Sequence, residues 1–322
     1  MRKAPERQPA VLISALGLIL LLAAGCSGFT RKPDAELRYW LGNMRQHHYS
    51  PQEAAAATGL SLATARRLLD ALPASSTGEP GRDAGGRIKV LPYPGGRHPR
   101  IGFLDGAIDP QRDTKVSVFC PWKDGGYVVI DLPEALWRDG AEKPELMYLA
   151  HTHIPTVWDR RDIRLDSTDW IRGPRGVLES RRRLPDGVEF GARVVPGQEF
   201  VDLELWIENG GSAGLSGLRS QVCVMLKGAP DFNAQTGDNK VEASRLIATG
   251  SADSSRWVLT LWQRARPWGN KRVPCMHSDP VFPDLAPGES ARLRGRLWFY
   301  QGNDPEGEME RQLEKWKAAG GE

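Results

Sequence analysis

The residues best suited to chemistry fall in two short runs. His151-Thr152-His153 follows the β-rich stretch Leu146–Ala150. On a continuing strand, positions i and i+2 share a face, so both imidazoles would point the same way. Cys275-Met276-His277-Ser278-Asp279 supplies a further imidazole and a carboxylate. Together His151, His153, His277 and Asp279 form a composite set whose donors suit zinc or a similar divalent ion as cofactor. The same side chains could instead serve sugar hydroxyls, or bond within their own loops. Trp158 follows the first run closely, and an indole face can stack on a pyranose. Trp122, Trp262 and Trp268 also lie at or near strand ends.

A polar insertion, Lys227 to Lys240 (KGAPDFNAQTGDNK), offers Asp231, Asn233 and Asn239 as ligand-binding groups. Long loops on a rigid scaffold commonly carry function. Asp231, Asn233, Gln235 and Glu242 also fall at the first, third, fifth and twelfth places of a calcium loop. The glycine is one place late at Gly237, and no helical pattern flanks the run. Nothing resembles a GxSxG nucleophile elbow or a phosphate-binding glycine loop.

These groups must be held by a scaffold that reads as mainly β. From about Ile88 onward, short β-rich runs are separated by Gly, Pro, Asn and Asp. They include Lys115–Cys120, Tyr127–Leu132, Val188–Val195, Val201–Ile207, Gln221–Leu226, Trp257–Trp262 and Ala291–Tyr300. Val201, Leu203, Leu205 and Ile207 share one face. Leu184-Pro-Asp-Gly-Val188 is a turn between strands. No long helical period interrupts these runs, which excludes alternating βαβ units. The expectation is a large antiparallel β-sandwich over 88–304, with a short helix or tail over 305–322.

Residues 33–73 read as a helical hairpin. Ser50-Pro51-Gln52-Glu53 is a helix start, Thr58-Gly59 a break, and Ser61 a second cap. The run Glu53 to Leu69 resembles a helix-turn-helix with Arg66 and Arg67 on its second helix, which implies a regulator as one alternative. Residues 74–87, rich in Pro, Gly, Ser and charge, read as a linker.

The N-terminus sets the compartment. Arg2, Lys3 and Arg7 precede Ala10 to Ala24, a run of 15 residues without a charge. That run is short of the roughly 20 apolar residues that span a bilayer. It has the layout of a secretory signal over 1–25. Leu22-Ala23-Ala24-Gly25-Cys26 resembles a bacterial lipobox, which implies a lipid on Cys26 and a membrane-anchored protein of the cell envelope. Loss of residues 1–25 takes a net +2 from the formal +3 and leaves +1. With export, that near-neutral balance gives no reason to expect a nucleic-acid partner. Three cysteines remain, Cys120, Cys223 and Cys275; one pair could be a disulfide, or all could be buried thiols.

Gly187–Pro196, Val201–Asn209 and Leu218–Leu226 resemble the central strands of galactose-mutarotase-like supersandwiches. The resemblance implies a carbohydrate ligand. It also raises an enzymatic alternative: a sugar epimerase with a His acid and a Glu base, or a metal-assisted hydrolase using His151, His153 and His277.

Overall fold

The computed structural model describes residues 34–72, 79–97, 112–150, 154–269 and 272–321. Cys26 and the rest of the signal-like segment, and His151 and His153, lie outside the described residues. Among the described residues, no helix is long and apolar enough to cross a membrane.

The chain begins with three helices, α1 (Asp34–Gln46), α2 (Pro51–Thr58) and α3 (Leu62–Asp70). Ser50 caps α2: its hydroxyl accepts from Glu53 N, and the Glu53 carboxylate accepts from Ser50 N. Gly59 ends α2 with φ 71°, a left-handed conformation that favours glycine. Trp40, Leu41, Met44, Ala54, Ala65 and Leu69 form the small core between these helices.

The remainder is mainly β and its strand pairings are antiparallel. A six-stranded sheet runs β1 (Val90–Pro92), β2 (Lys115–Phe119), β3 (Tyr127–Asp131), β11 (Cys223–Met225), β16 (Cys275–Pro280), β15 (Ala265–Gly269). An eight-stranded sheet runs β12 (Lys240–Ala243), β13 (Leu246–Gly250), β14 (Arg256–Trp262), β17 (Ser290–Gln301), β9 (Phe200–Asn209), β8 (Val188–Pro196), β7 (Leu178–Arg183), β6 (Ile171–Arg172). A three-stranded sheet runs β10 (Arg219–Gln221), β4 (Ala135–Asp139), β5 (Pro144–Leu149).

Alternation assigns the faces. Val116, Val118, Val128, Ile130, Val224 and Met276 of the six-stranded sheet join one core with Phe190, Val194, Leu203, Leu205, Val258 and Leu297 of the eight-stranded sheet. That shared core makes the two sheets a sandwich. The eight-stranded sheet is covered on its other face by α4 (Pro305–Ala318), whose Met309 and Trp316 pack on Trp257, Leu259 and Trp298.

The helical segment docks on the sheet through α1, the turn after it and α2. The His47 imidazole sits among the rings of Tyr49, Tyr93, Phe119 and Tyr127 on the outer face of the six-stranded sheet. Its Nε2 is 2.7 Å from Ser117 Oγ, and Asn43 donates to Pro92 O. Arg97 pairs with Glu53 and donates to the Tyr127 hydroxyl. The linker expectation also needs revision at its C-terminal end. Arg82 donates to Gln198 O and bridges to Ile88, and Lys89 N donates to Gly81 O, so this Gly-rich stretch turns against the sandwich.

Candidate functional site

The outer face of the six-stranded sheet carries an unusual row of polar side chains. Lys115 is in register with Asp131 across β2 and β3. Cys223 is opposite His277, and His277 opposite Trp268, across β11, β16 and β15. Lys115 Nζ is 3.3 Å from Asp131 Oδ1 with both side chains fully buried, and it also donates to Ala150 O.

His277 is the centre of the row's far end. It is buried, with 2% of its surface exposed. Trp268 stacks on it at 4.0 Å with rings 17° from parallel. Its Nδ1 is 3.2 Å from Asp279 Oδ1. Its Nε2 points into a group made by Cys275 Sγ at 4.0 Å and Glu134 Oε2 at 3.9 Å. Burial alone would lower the imidazole pKa. The Asp279 and Cys275 contacts and the nearby Glu134 charge outweigh it and raise the pKa to about 10. His277 is therefore an imidazolium at neutral pH when only protons compete for it.

Asp279 is a hub. Oδ1 accepts from Val222 N at 2.9 Å as well as facing His277, and Oδ2 accepts from Trp268 Nε1 at 2.7 Å. Val222 lies where the chain leaves β10 for β11 and changes sheets. A peptide N–H at such a break lacks a ladder partner, and the carboxylate supplies one.

A cleft of about 420 Å³ opens beside this hub, lined by Trp137, Arg219, Gln221, Arg266, Trp268 and Asp279. Pro144 and Pro280 add apolar wall. Arg219 Nε is buried without a hydrogen-bond partner. Neither Arg219 nor Arg266 makes an ion pair among the described residues. Two indoles, two guanidinium groups, an amide and a carboxylate thus converge on one concavity.

Of the residues singled out from sequence, His277 and Asp279 are brought together, and Asp279 reaches the cleft. The others behave differently. Trp158 is core: it is 1% exposed and its Nε1 donates to Met147 O. Asp231 and Asn233 are exposed near the other end of β11, flanking Phe232, which stacks on Trp122. Asn239 closes a turn by bonding Gly250. None of the three lines the cleft. The calcium-loop spacing also fails, because Glu242 lies on β12 and its carboxylate accepts from Gly269 N. Of the composite set of His151, His153, His277 and Asp279, only His277 and Asp279 lie among the described residues. Asp279 faces Nδ1 of His277 and also accepts from Val222 N and Trp268 Nε1, whereas Cys275 Sγ lies at Nε2. Cys120, Cys223 and Cys275 are buried and no disulfide joins them.

The reading from sequence missed Trp137, Arg219, Gln221, Arg266 and Glu134. One signal was present: Cys275, His277 and Asp279 alternate at strand spacing, which places all three on one face. The partners from β4 and β10 come from remote segments and leave no local pattern.

No protein-family model matches the chain, and no curated protein matches its sequence. Solved structures overlap with it in shape. A putative kojibiose phosphorylase from the human microbiome is 7% identical, with a TM-score of 0.37 over 61% of this chain and 26% of that one. A polysaccharide lyase is 12% identical, with a TM-score of 0.37 over 67% of this chain and 33% of that one. Heparan sulfate lyase HepC from Pedobacter heparinus is 10% identical, with a TM-score of 0.34 over 62% of this chain and 38% of that one. This chain therefore spans between 26% and 38% of those three chains. The overlap is one of β architecture at low similarity; it transfers no residue roles.

Proposed function

We propose that this protein is an envelope lipoprotein whose cleft at Trp137 and Trp268 binds a carbohydrate, with preference for an acidic sugar. The observation that carries the reading is the lining of the cleft. Indole faces offer stacking surfaces for the apolar faces of pyranose rings. Gln221, Arg266 and Asp279 offer donors and acceptors for hydroxyls. The Arg219 and Arg266 guanidinium groups, which line the cleft and make no ion pair among the described residues, suit a carboxylate or sulfate on the sugar. The anchor rests on the Leu22–Cys26 segment, and the sequence resemblance to mutarotase-like sandwiches is consistent with a sugar ligand.

Binding is favoured over catalysis by the state of the titratable groups. His277 is behind Trp268 and out of reach of a ligand in the cleft. Asp279 has both oxygens occupied by Trp268, Val222 and His277. The regulator alternative finds less support because the helical segment is fixed to β1–β3 through Asn43 of α1 and the following His47.

Calorimetric titration of the full-length chain with uronate-containing and neutral oligosaccharides tests the reading. Trp268→Ala and Trp137→Ala are each expected to weaken binding about tenfold or more, which is roughly 1.4 kcal/mol. Arg219→Ala should weaken the uronate ligand more than the neutral one. No measurable binding to any oligosaccharide by the folded wild-type chain sinks the proposal.

A further inference from the structure

We infer that Cys223, Cys275 and His277 form a binding site for a thiophilic divalent cation, zinc by the chemistry of its donors, with the Glu134 carboxylate beside it at His277 Nε2. The site does not depend on the carbohydrate reading, and its ligand set differs from the histidine–carboxylate set expected from sequence.

The geometry supports it in four ways. Cys223 Sγ, Cys275 Sγ and a His277 ring nitrogen lie within 4.8 Å of one another, and all three residues are buried. Nε2 of His277 is 4.0 Å from Cys275 Sγ and 3.9 Å from Glu134 Oε2. An N–H···O hydrogen bond needs about 2.7–3.2 Å, so 3.9 Å is too long for one to Glu134. Bonds of about 2.3 Å to sulfur and about 2.0–2.2 Å to nitrogen or oxygen give tetrahedral edges of roughly 3.3–3.8 Å. Closing the three donors around an ion thus takes a contraction of a few tenths of an ångström between Cys275 and His277 and of no more than about 1.5 Å between any two of the three.

Orientation is the third argument. A metal-bound histidine characteristically donates its other ring N–H to a carboxylate, which fixes tautomer and ring direction. Asp279 occupies that place at Nδ1, and is itself fixed by Val222 N and Trp268 Nε1. An ion would replace the proton at Nε2 while Nδ1–H goes on donating to Asp279. The fourth argument is donor softness: two cysteines and an imidazole select zinc over magnesium or calcium. The strands supply the precision. Cys223 and His277 face each other across one ladder, and Cys275 is two residues from His277 on the same face.

The site would also brace the cleft, because Trp268 lies flat on the His277 ring and forms part of the cleft wall. An ion on Nε2 would hold the ring, and with it the indole.

The test uses the full-length chain, stripped by a chelator under reducing conditions and titrated with Zn²⁺ alone, then with Co²⁺ as a spectroscopic probe. The expected result is one zinc per chain, and a cobalt spectrum with thiolate charge-transfer absorption. Cys223→Ser, Cys275→Ser and His277→Ala should each weaken zinc binding by at least about 100-fold, beyond the 10–100-fold cost of losing an outer hydrogen-bond partner. Glu134→Gln should weaken it less, and Cys120→Ser, a buried thiol outside the group, should leave it intact. If the cysteine variants fail to fold, the wild-type cobalt spectrum and zinc protection of two thiols from alkylation still decide. Three outcomes overturn the site: folded wild-type chain that retains no zinc at micromolar concentration, retention of zinc by Cys223→Ser/Cys275→Ser, or a Cys223–Cys275 disulfide in the isolated protein in place of metal.

Discussion

Asp279 joins three segments through one carboxylate: the sheet-switching Val222, the cleft wall at Trp268 and the buried imidazole of His277. Asp279→Asn puts an amide N–H₂ where a donor is already pointing. Leaving a buried donor unmatched costs about 1–3 kcal/mol, so the urea midpoint should fall by that equivalent and oligosaccharide binding should weaken with it. Unchanged stability would show that water replaces the carboxylate. Lys115 and Asp131 make a sharper case, since both are fully buried. Asp131→Ala strands a charged amine in the interior, and a loss of about 3–5 kcal/mol in urea unfolding is expected. His47 contributes a pH dependence. Burial lowers its pKa to about 3, with the Arg97, His48 and Lys89 charges adding to the effect and the Asn43 carbonyl opposing it. The folded chain keeps it neutral, whereas the unfolded chain protonates it near pH 6.5. Its contribution is therefore complete above about pH 6.5 and is lost as the pH falls toward 3, by about 1.4 kcal/mol per pH unit. Urea unfolding at pH 7, 5.5 and 4.5 should show a slope reduced by that amount in His47→Gln. Equal slopes would mean that His47 charges inside the fold.

At the scale of elements, helix α4 is the cleanest target. Trp316 is 4% exposed and packs in the outer cluster with Trp257 and Trp298. Trp316→Ala should cost about 3–5 kcal/mol, read as a lowered midpoint in thermal or urea unfolding, while zinc uptake on the opposite sheet is unchanged. Elements with a strong local period were legible in the sequence. The alternation of Val201 to Ile207 became β9, the Leu184–Gly187 turn joined β7 to β8, and the Ser50 and Gly59 signals delimited α2. Strands set by tertiary pairing were not. The run Leu178–Arg183 carries four charges and is not among the β-rich runs, yet its Leu178 and Arg182 face inward and it pairs with β8 along its length. Ala265–Gly269 contains Pro and Gly and is a strand only because β16 pairs with it. The cleft was illegible for the same reason: Trp137, Arg219 and Trp268 become neighbours through sheet pairing, not through spacing along the chain. Cys275, His277 and Asp279, which alternate along one strand, had a local signature.

At the scale of the whole molecule, the compartment and the fold make separate predictions. Cys26→Ser should leave the chain unprocessed or release it from the membrane fraction, followed by fractionation and precursor size on gels. A processed, anchored Cys26→Ser protein would remove the lipid reading. Arg66 and Arg67 are exposed on α3, and the pair Arg66→Ala with Arg67→Ala should leave folding and localisation unchanged. Salt-sensitive, sequence-selective DNA binding lost in that double variant would reverse this. The position of β17 has a further consequence. This strand, Ser290–Gln301, is the last of the described strands in chain order, yet it sits between β14 and β9 in the middle of the eight-stranded sheet. Until it emerges from the ribosome, its two neighbours present bare edges, and the larger layer exists only as two separate ribbons. Closure of the eight-stranded sheet therefore waits until its other seven strands have been made. The two half-layers need protection from pairing with other chains until the central strand arrives.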